Sequence, residues 1–339
     1  MISRREGAAL LVSVAIALGS AGSAIAADVA PMPKKAPPVT PFVLDVHGFV
    51  DVTFKNTSVT PRGLMVREFS GLTTQVANGL ALDVYKDPSG FINGVTFYAG
   101  TWNDVWSKNN DPVVGSWAEF DWWVGMSVKF ARHWKFGIEY VEFLSPTTVA
   151  TSFPSTERNI EFSLSYDDSH FGNPIVINPY VKLFYAASGP STVVLGKRGD
   201  TFDVEIGMVP TFDTKKYSGI PLAFSAPTWI TVGPKSYWNR NDGTTNFCGA
   251  LSNAPCGLSN AGVFSTGLQA KYTLDTVIPK RLGTWYVKGG FQYYHIINDA
   301  LLGAQVLTGA AGGASGVAGT FPNAHENVVV GYGGFGFTF

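Results

Sequence analysis

Between Ala118 and Phe130 the chain alternates almost without a break. Ala118, Phe120, Trp122, Val124, Met126, Val128 and Phe130 are apolar, and Glu119, Asp121, Trp123, Gly125, Ser127 and Lys129 lie between them. A period of two puts the first set on one face of a strand and the second on the other. The same alternation recurs from Phe42 onward and predicts strands over roughly 43–56, 72–86, 90–104, 116–130, 133–145, 157–168, 175–188, 199–212, 221–236, 262–274, 284–297 and 325–339. Most of these are long enough for a tilted crossing of a bilayer. Their connections alternate in length. Those near Asp87-Pro88-Ser89, Ala131-Arg132, 168–174, 213–220 and 275–283 are mostly short, and those near 57–71, 105–115, 146–156, 189–198, 237–261 and 298–324 are generally longer. One alternating strand also suits a soluble sandwich. An even set of about twelve, with this phase of turns and loops, predicts an all-β chain: a single antiparallel transmembrane β-barrel with short periplasmic turns and long extracellular loops.

The aromatic positions agree with that topology. Phe91, Phe130, Trp134, Tyr166, Tyr272, Trp285 and Phe337 all fall on the apolar face near its periplasmic end, where a girdle is expected. The final residues, Gly331-Tyr332-Gly333-Gly334-Phe335-Gly336-Phe337-Thr338-Phe339, put Phe335, Phe337 and Phe339 on one face of a terminal strand. In water such a face would be an aggregation hazard. The ending resembles the carboxy-terminal signature of Gram-negative outer-membrane barrels. That resemblance implies recognition by the barrel-assembly machinery through the strand ending at Phe339.

The opposite end predicts export. Arg4 and Arg5 precede an apolar run from Ala8 to Leu18, and Ala24-Ile25-Ala26 fits a small-residue cleavage pattern. Residues 1–26 therefore read as a signal peptide, cleaved before Ala27. Residues 27–41 carry Pro31, Pro33, Pro37, Pro38 and Pro41 around Lys34-Lys35 and read as a proline-rich periplasmic tail. Residues 42–339 form the barrel domain. No later segment has the unbroken apolar run of a transmembrane helix. Charged residues make up only 14% of the chain and aromatics another 14%, whereas soluble domains are about a quarter charged. The expected location is the bacterial outer membrane, with its lipids against the apolar face. The net charge of −1 suggests no nucleic-acid partner.

Parity assigns the opposite face to the lumen. Asp45, Asp51, Asp83, Glu119, Asp121, Glu139, Glu161, Asp203 and Glu205 are its acids, and Lys55, Lys129, Lys135, Lys182, Lys235, Lys271 and Lys288 its bases. A base facing lipid near the midplane costs ~2–4 kcal/mol, so these groups need water or partners inside. Counted around the ring, the acids concentrate on the fourth to eighth strands and Lys235, Lys271 and Lys288 on the ninth to eleventh. This predicts a pore with an acidic wall facing a basic one. Its lining residues would be Glu119, Asp121, Glu139, Glu161, Lys182, Asp203, Glu205, Lys235, Lys271 and Lys288. Cys248 and Cys256 share the fifth long loop and, in an exported chain, read as a disulfide. No histidine accompanies them to complete a metal site. No motif nominates a catalytic residue or a cofactor: His47 beside Asp45 reads as a structural pair, and no serine has a base at a telling spacing.

Three further stretches carry a family resemblance. They are Arg67-Glu68-Phe69-Ser70-Gly71-Leu72-Thr73, then Gly94-Val95-Thr96-Phe97-Tyr98-Ala99-Gly100-Thr101-Trp102-Asn103-Asp104, then Glu119-Phe120-Asp121-Trp122-Trp123-Val124-Gly125. The region from Val66 to Glu142 resembles the TorF-type porins of Gram-negative bacteria. The first turn is altered, an insertion precedes the second motif, and Trp122-Trp123 replaces the usual pair. The resemblance implies an outer-membrane channel of undefined substrate and supplies no catalytic residue. The functional expectation is passive diffusion of small polar or charged solutes. The alternatives are a closed structural or surface-interaction barrel and, behind it, an outer-membrane lipid hydrolase. No pattern specifies an oligomeric state.

Overall fold

Alternation alone gives a strand two unlike faces; the backbone ladder decides what those faces enclose. The computed structural model describes residues 44–63, 65–67, 71–107, 116–144, 146, 156–188, 200–238, 259–299, 301–302 and 325–339. The expected signal peptide, the proline-rich tail and both cysteines lie outside the described residues.

Twelve strands form one antiparallel ring: β1 Asp45–Lys55, β2 Thr73–Lys86, β3 Ile92–Trp106, β4 Trp117–Phe130, β5 Trp134–Leu144, β6 Thr156–Tyr166, β7 Pro179–Ser188, β8 Thr201–Met208, β9 Thr228–Val232, β10 Ala261–Thr273, β11 Thr284–Ile296 and β12 Asn327–Thr338. Each pairs with its neighbours in sequence, and β12 returns to β1 with Phe49 opposite Thr338 and Lys55 opposite Tyr332. Phe339 continues the seam, because its amide donates to the Gly48 carbonyl and its carbonyl oxygen accepts from the Gly48 amide in return. The predicted strands stand close to the observed ones, with one correction. The ninth ends at Val232, and Lys235 lies beyond it in a single helical turn, Lys235–Trp238. Pro234 ends the ladder there, since proline has no amide to donate.

Proline and a left-handed residue also divide strands at the short-turn end. Val209-Pro210 separates β8 from its continuation Thr211–Asp213, and Ala226-Pro227 separates Leu222–Ser225 from β9. Asn178, at φ +49°, separates Ile175–Val176 from β7. These stubs pair with one another and extend the wall on that side. Asp168 fastens the turn between β6 and β7: its carboxylate accepts the amides of Ile177 at 2.9 Å and Asn178 at 2.8 Å.

The two faces follow parity. Outward residues such as Leu80 (57% exposed), Ile206 (51%), Phe97, Val124, Leu268, Val329 and Phe335 form an apolar exterior. Rings pair on that surface at the short-turn end: Phe91 with Phe130, Trp134 with Tyr166, and Trp285 stacked on Phe337 at 4.6 Å. Inward aromatics do not simply fill the middle. Tyr98 stands opposite Gly125 across the β3–β4 ladder and Trp123 opposite Gly100. Each ring lies flat over its glycine: a Cβ on Gly125 would come within 2.6 Å of Tyr98, and one on Gly100 within 2.5 Å of Trp123. The glycines let the rings thicken the wall instead of crossing the lumen. Tyr180 over Gly207 and Tyr286 over Gly336 repeat the arrangement.

Two measurements check this account. Gly125→Ala also drives a Cβ to 2.7 Å from the Ile138 carbonyl, which is backbone and cannot swing away. It should destabilise the barrel by about 1–3 kcal/mol in urea unfolding from lipid vesicles; an unchanged midpoint would count against the packing described. Desolvation raises the carboxyl of Asp168, but the amides of Asn178 and Ile177 outweigh it and hold the group below its ordinary 3.8. Its contribution is then complete above that ordinary value and is lost as pH falls through the lower folded value. Stability measured against pH should drop in that acid window for the parent chain and less steeply for Asp168→Asn.

Candidate functional site

The loop after β1 does not stay outside the ring. Ser58–Val59 and Met65–Arg67 pair as a small hairpin, and its tip enters the lumen from the long-loop end. Ser58 Oγ donates to Asp104 of β3 at 3.0 Å. Trp229 Nε1 of β9 donates to the Pro61 carbonyl at 3.0 Å. Arg62 reaches the far wall: its Nε lies 3.3 Å from Asp203 of β8, its Nη2 3.6 Å from Glu161 of β6, and its guanidinium 3.5 Å from the centre of the Phe184 ring. Asp203 is 1% exposed and Arg62 8%, so this ion pair is out of water. One turn thereby ties β3 to β6, β8 and β9 across the interior.

Beside this turn the lumen is apolar. Phe184, Val263, Ile296, Val328 and Val330 point inward near the long-loop ends of their strands and pack with Val59, Tyr237, Trp238 and Leu301 from the connections. Toward β3–β8 a cavity of about 340 Å³ remains beneath the turn. Glu119, Asp121, Glu139, Glu161, Glu205 and Lys182, all predicted from parity, line it. Lys182 pairs with Glu205 at 3.7 Å, and Tyr180 donates to the same carboxylate at 2.8 Å. Asp203 faces inward but is engaged by Arg62. Lys55 and Arg62 add cations to this lining, and Trp102, Trp123, Phe143 and Tyr294 its aromatic surfaces.

The lysine wall departs from expectation. Lys235 is exposed on its helical turn, off the strand. Lys288 faces inward but donates to Asp51 at 2.5 Å, and Tyr286 donates to the other oxygen of that carboxylate at 2.6 Å. Lys271 stands opposite Lys288 and lies over the Tyr286 ring at 4.4 Å. Both occupy the short-turn half of their strands, as do Lys129 and Lys135, which face each other on β4 and β5. The acids of β3 to β8 instead sit at mid-height or nearer the long loops, where Asp104 opposes Glu119 and Glu139 opposes Glu161, while Asp45, Asp51 and Asp83 stay with lysines lower in the barrel. The main charge separation therefore runs along the barrel axis rather than across it. Counting charges by strand around the ring missed this, because antiparallel neighbours reach a given height at opposite ends of their sequences.

Asp45, His47 and Asp83 bring ligand atoms within 4.8 Å of one another at the short-turn end. Lys86 already serves that cluster, with its ammonium 2.6 Å from Asp45 and 2.9 Å from Asp83. Of the residues that hold the turn, Arg62 and Asp104 were not among the expected lining residues. Arg62 had one weak signal, an arginine inside the turn-forming run Thr60-Pro61-Arg62-Gly63, with Gly63 at φ +86°.

No protein-family model matches the chain, and no curated protein does. Solved structures do resemble it. The COG4313 outer membrane channel from Pseudomonas putida F1 aligns at TM-score 0.46 and 9% identity, over 92% of this chain and 100% of that one. OprB of Pseudomonas putida aligns at 0.38 and 10%, over 88% and 94%. A porin aligns at 0.29 and 10%, over 88% and 100%. With TM-scores below 0.5, these likenesses do not bear on what this barrel carries.

Removing one partner of a buried ion pair leaves the other charge uncompensated, at a cost of about 3–5 kcal/mol. Arg62→Ala should therefore lower the urea midpoint strongly, and adding Asp203→Asn should recover part of the loss. Equal midpoints for the parent and Arg62→Ala would show the pair to be solvated.

Proposed function

We propose that the chain is an outer-membrane channel for small polar solutes, with a preference for cations, narrowed by the turn that carries Arg62. One observation carries this reading: a closed ring whose exterior is apolar and whose interior wall is charged around a cavity. The exterior suits lipid, and the absence of an unpaired edge in the ring suits a medium that cannot hydrogen-bond backbone. The short-turn end, with its ring pairs, would face the periplasm, and the long loops the outside. The interior suits hydrated solutes, because charges held in a dry lumen would cost several kcal/mol each. Where Glu119, Asp121, Glu139, Glu161 and Glu205 meet Lys55, Arg62 and Lys182, five carboxylates face three cations. That imbalance supports cation preference at the narrow level. The same turn also favours the closed-barrel reading, since it spans the lumen; conduction then depends on its displacement or on passage beside it.

Recording from refolded protein in planar bilayers separates the two readings. The channel reading expects conductance, a reversal potential of cationic sign in a salt gradient, and weaker selectivity at high salt as the charges are screened. Arg62→Ala should raise conductance several-fold. Glu119→Gln with Asp121→Asn should move the reversal potential toward zero, and Lys271→Gln with Lys288→Gln should move it the other way. Silence of both the parent and Arg62→Ala over a wide voltage range would leave the closed barrel standing.

A further inference from the structure

The cavity beneath the turn has more acid than its own cations balance, and its shape says which cation suits it. Arg62 and Lys182 engage Glu161, Asp203 and Glu205. Glu119, Asp121 and Glu139 have no ion-pair partner within 4 Å among the described residues. Asp121 is 7% exposed; its carboxyl is hydrogen-bonded to Glu119, but its Oδ1 has no hydrogen-bond partner among the described residues, and the side chain lines the cavity. A buried carboxylate oxygen left in this way costs free energy until something donates to it.

A bare metal ion is a poor candidate. Metal ligation needs several oxygens converging on one point, at 2.3–2.6 Å for calcium. Among the described residues the carboxylates that converge within 4.8 Å as a group of three with His47 are Asp45 and Asp83, at the other end of the barrel; the cavity acids form no such group. They are instead spread around a space of about 340 Å³ that also has Trp102 and Trp123 on its wall. That volume falls within the ~300–1,000 Å³ of small-molecule sites. Dispersed carboxylates with indole faces suit a cation that is itself extended, planar or partly apolar, with several N–H donors. The protein shows this recognition once already: the Arg62 guanidinium is held between Asp203, Glu161 and the Phe184 ring at the upper edge of the same space.

We infer that this cavity is a binding site for organic cations bearing a guanidinium or ammonium group, and that Arg62 is a tethered competitor for it. The incoming cation donates to Asp121 and Glu139 and shares Glu161 with Arg62. Occupancy then weakens the hold of the turn on the far wall. This rests on the reading of the lumen as accessible to solutes, and it is tested by equilibrium binding, which needs no conduction.

Titration calorimetry on the intact barrel in detergent, using ethylguanidinium chloride, should give saturable binding. Ethylurea, similar in shape but neutral, should give none, and calcium should not displace the ethylguanidinium. Asp121→Asn and Glu139→Gln should each weaken binding about tenfold or more. Arg62→Ala should tighten it, an effect that a purely structural arginine would not produce. Circular dichroism of each variant checks folding, and the ligand series on the parent chain stands even if a variant fails to fold. Equal binding of ethylurea, displacement by calcium, or no binding to the folded parent would each overturn the inference. If ethylguanidinium binds while bilayers stay silent, the site stands and the channel reading falls; conduction without binding gives the reverse.

Discussion

Everything in this molecule depends on β12 meeting β1. A sheet of this size left open would present two rows of unpaired amides and carbonyls, and closure removes both. The seam is made of short residues on one side: Gly331, Gly333, Gly334 and Gly336 are interspersed along β12 with Tyr332, Phe335 and Phe337. A Cβ on Gly334 would meet the Val52 carbonyl at 2.1 Å, so the two strands approach there as only glycine allows. Once the ring is closed, the period of two gains a meaning that it lacks in a single strand. One parity becomes outside and the other becomes inside, for all twelve strands at once.

That is why so much of the fold was legible. The assignment of faces needed only parity and a common direction, and it placed Glu119, Asp121, Glu139, Glu161, Lys182, Asp203 and Glu205 on the inner wall, where the registers put them. What stayed illegible depends on three-dimensional neighbours. Height along the axis comes from how antiparallel partners are registered, so the lysines of β10 and β11 and the acids of β4 to β6 were placed in opposition across the ring when they lie mostly at different levels. The register also slips between Asp104 and Val105, at the end of the third alternation. Asp104 sits at that slip and was not counted among the inward acids. Lys235 was carried inward by a parity that had already ended at Pro234.

Arg62 is the clearest case of a residue that sequence could not place. Nothing nearby in the chain explains it; its partners are 99, 122 and 141 positions later, at Glu161, Phe184 and Asp203. In a lumen this crowded with carboxylates, a guanidinium is a practical counter-ion. It is always charged, is less strongly hydrated than an ammonium, and can stack on a ring while donating to two acids. The acid wall and the inserted turn are thus one electrostatic arrangement, and neither would be stable in the dry part of the lumen alone.

The position of that turn in the chain has a consequence for how the barrel is made. It follows the first strand, yet every wall group it holds belongs to a later one: Asp104 on β3, Glu161 on β6, Asp203 on β8, Trp229 on β9. Contacts so distant in sequence contribute only once a long stretch of chain has been closed. The turn therefore cannot be held in place until β3, β6, β8 and β9 stand in the ring. The group that braces the interior is thus encoded early in the barrel, while every wall residue it grips is encoded after it.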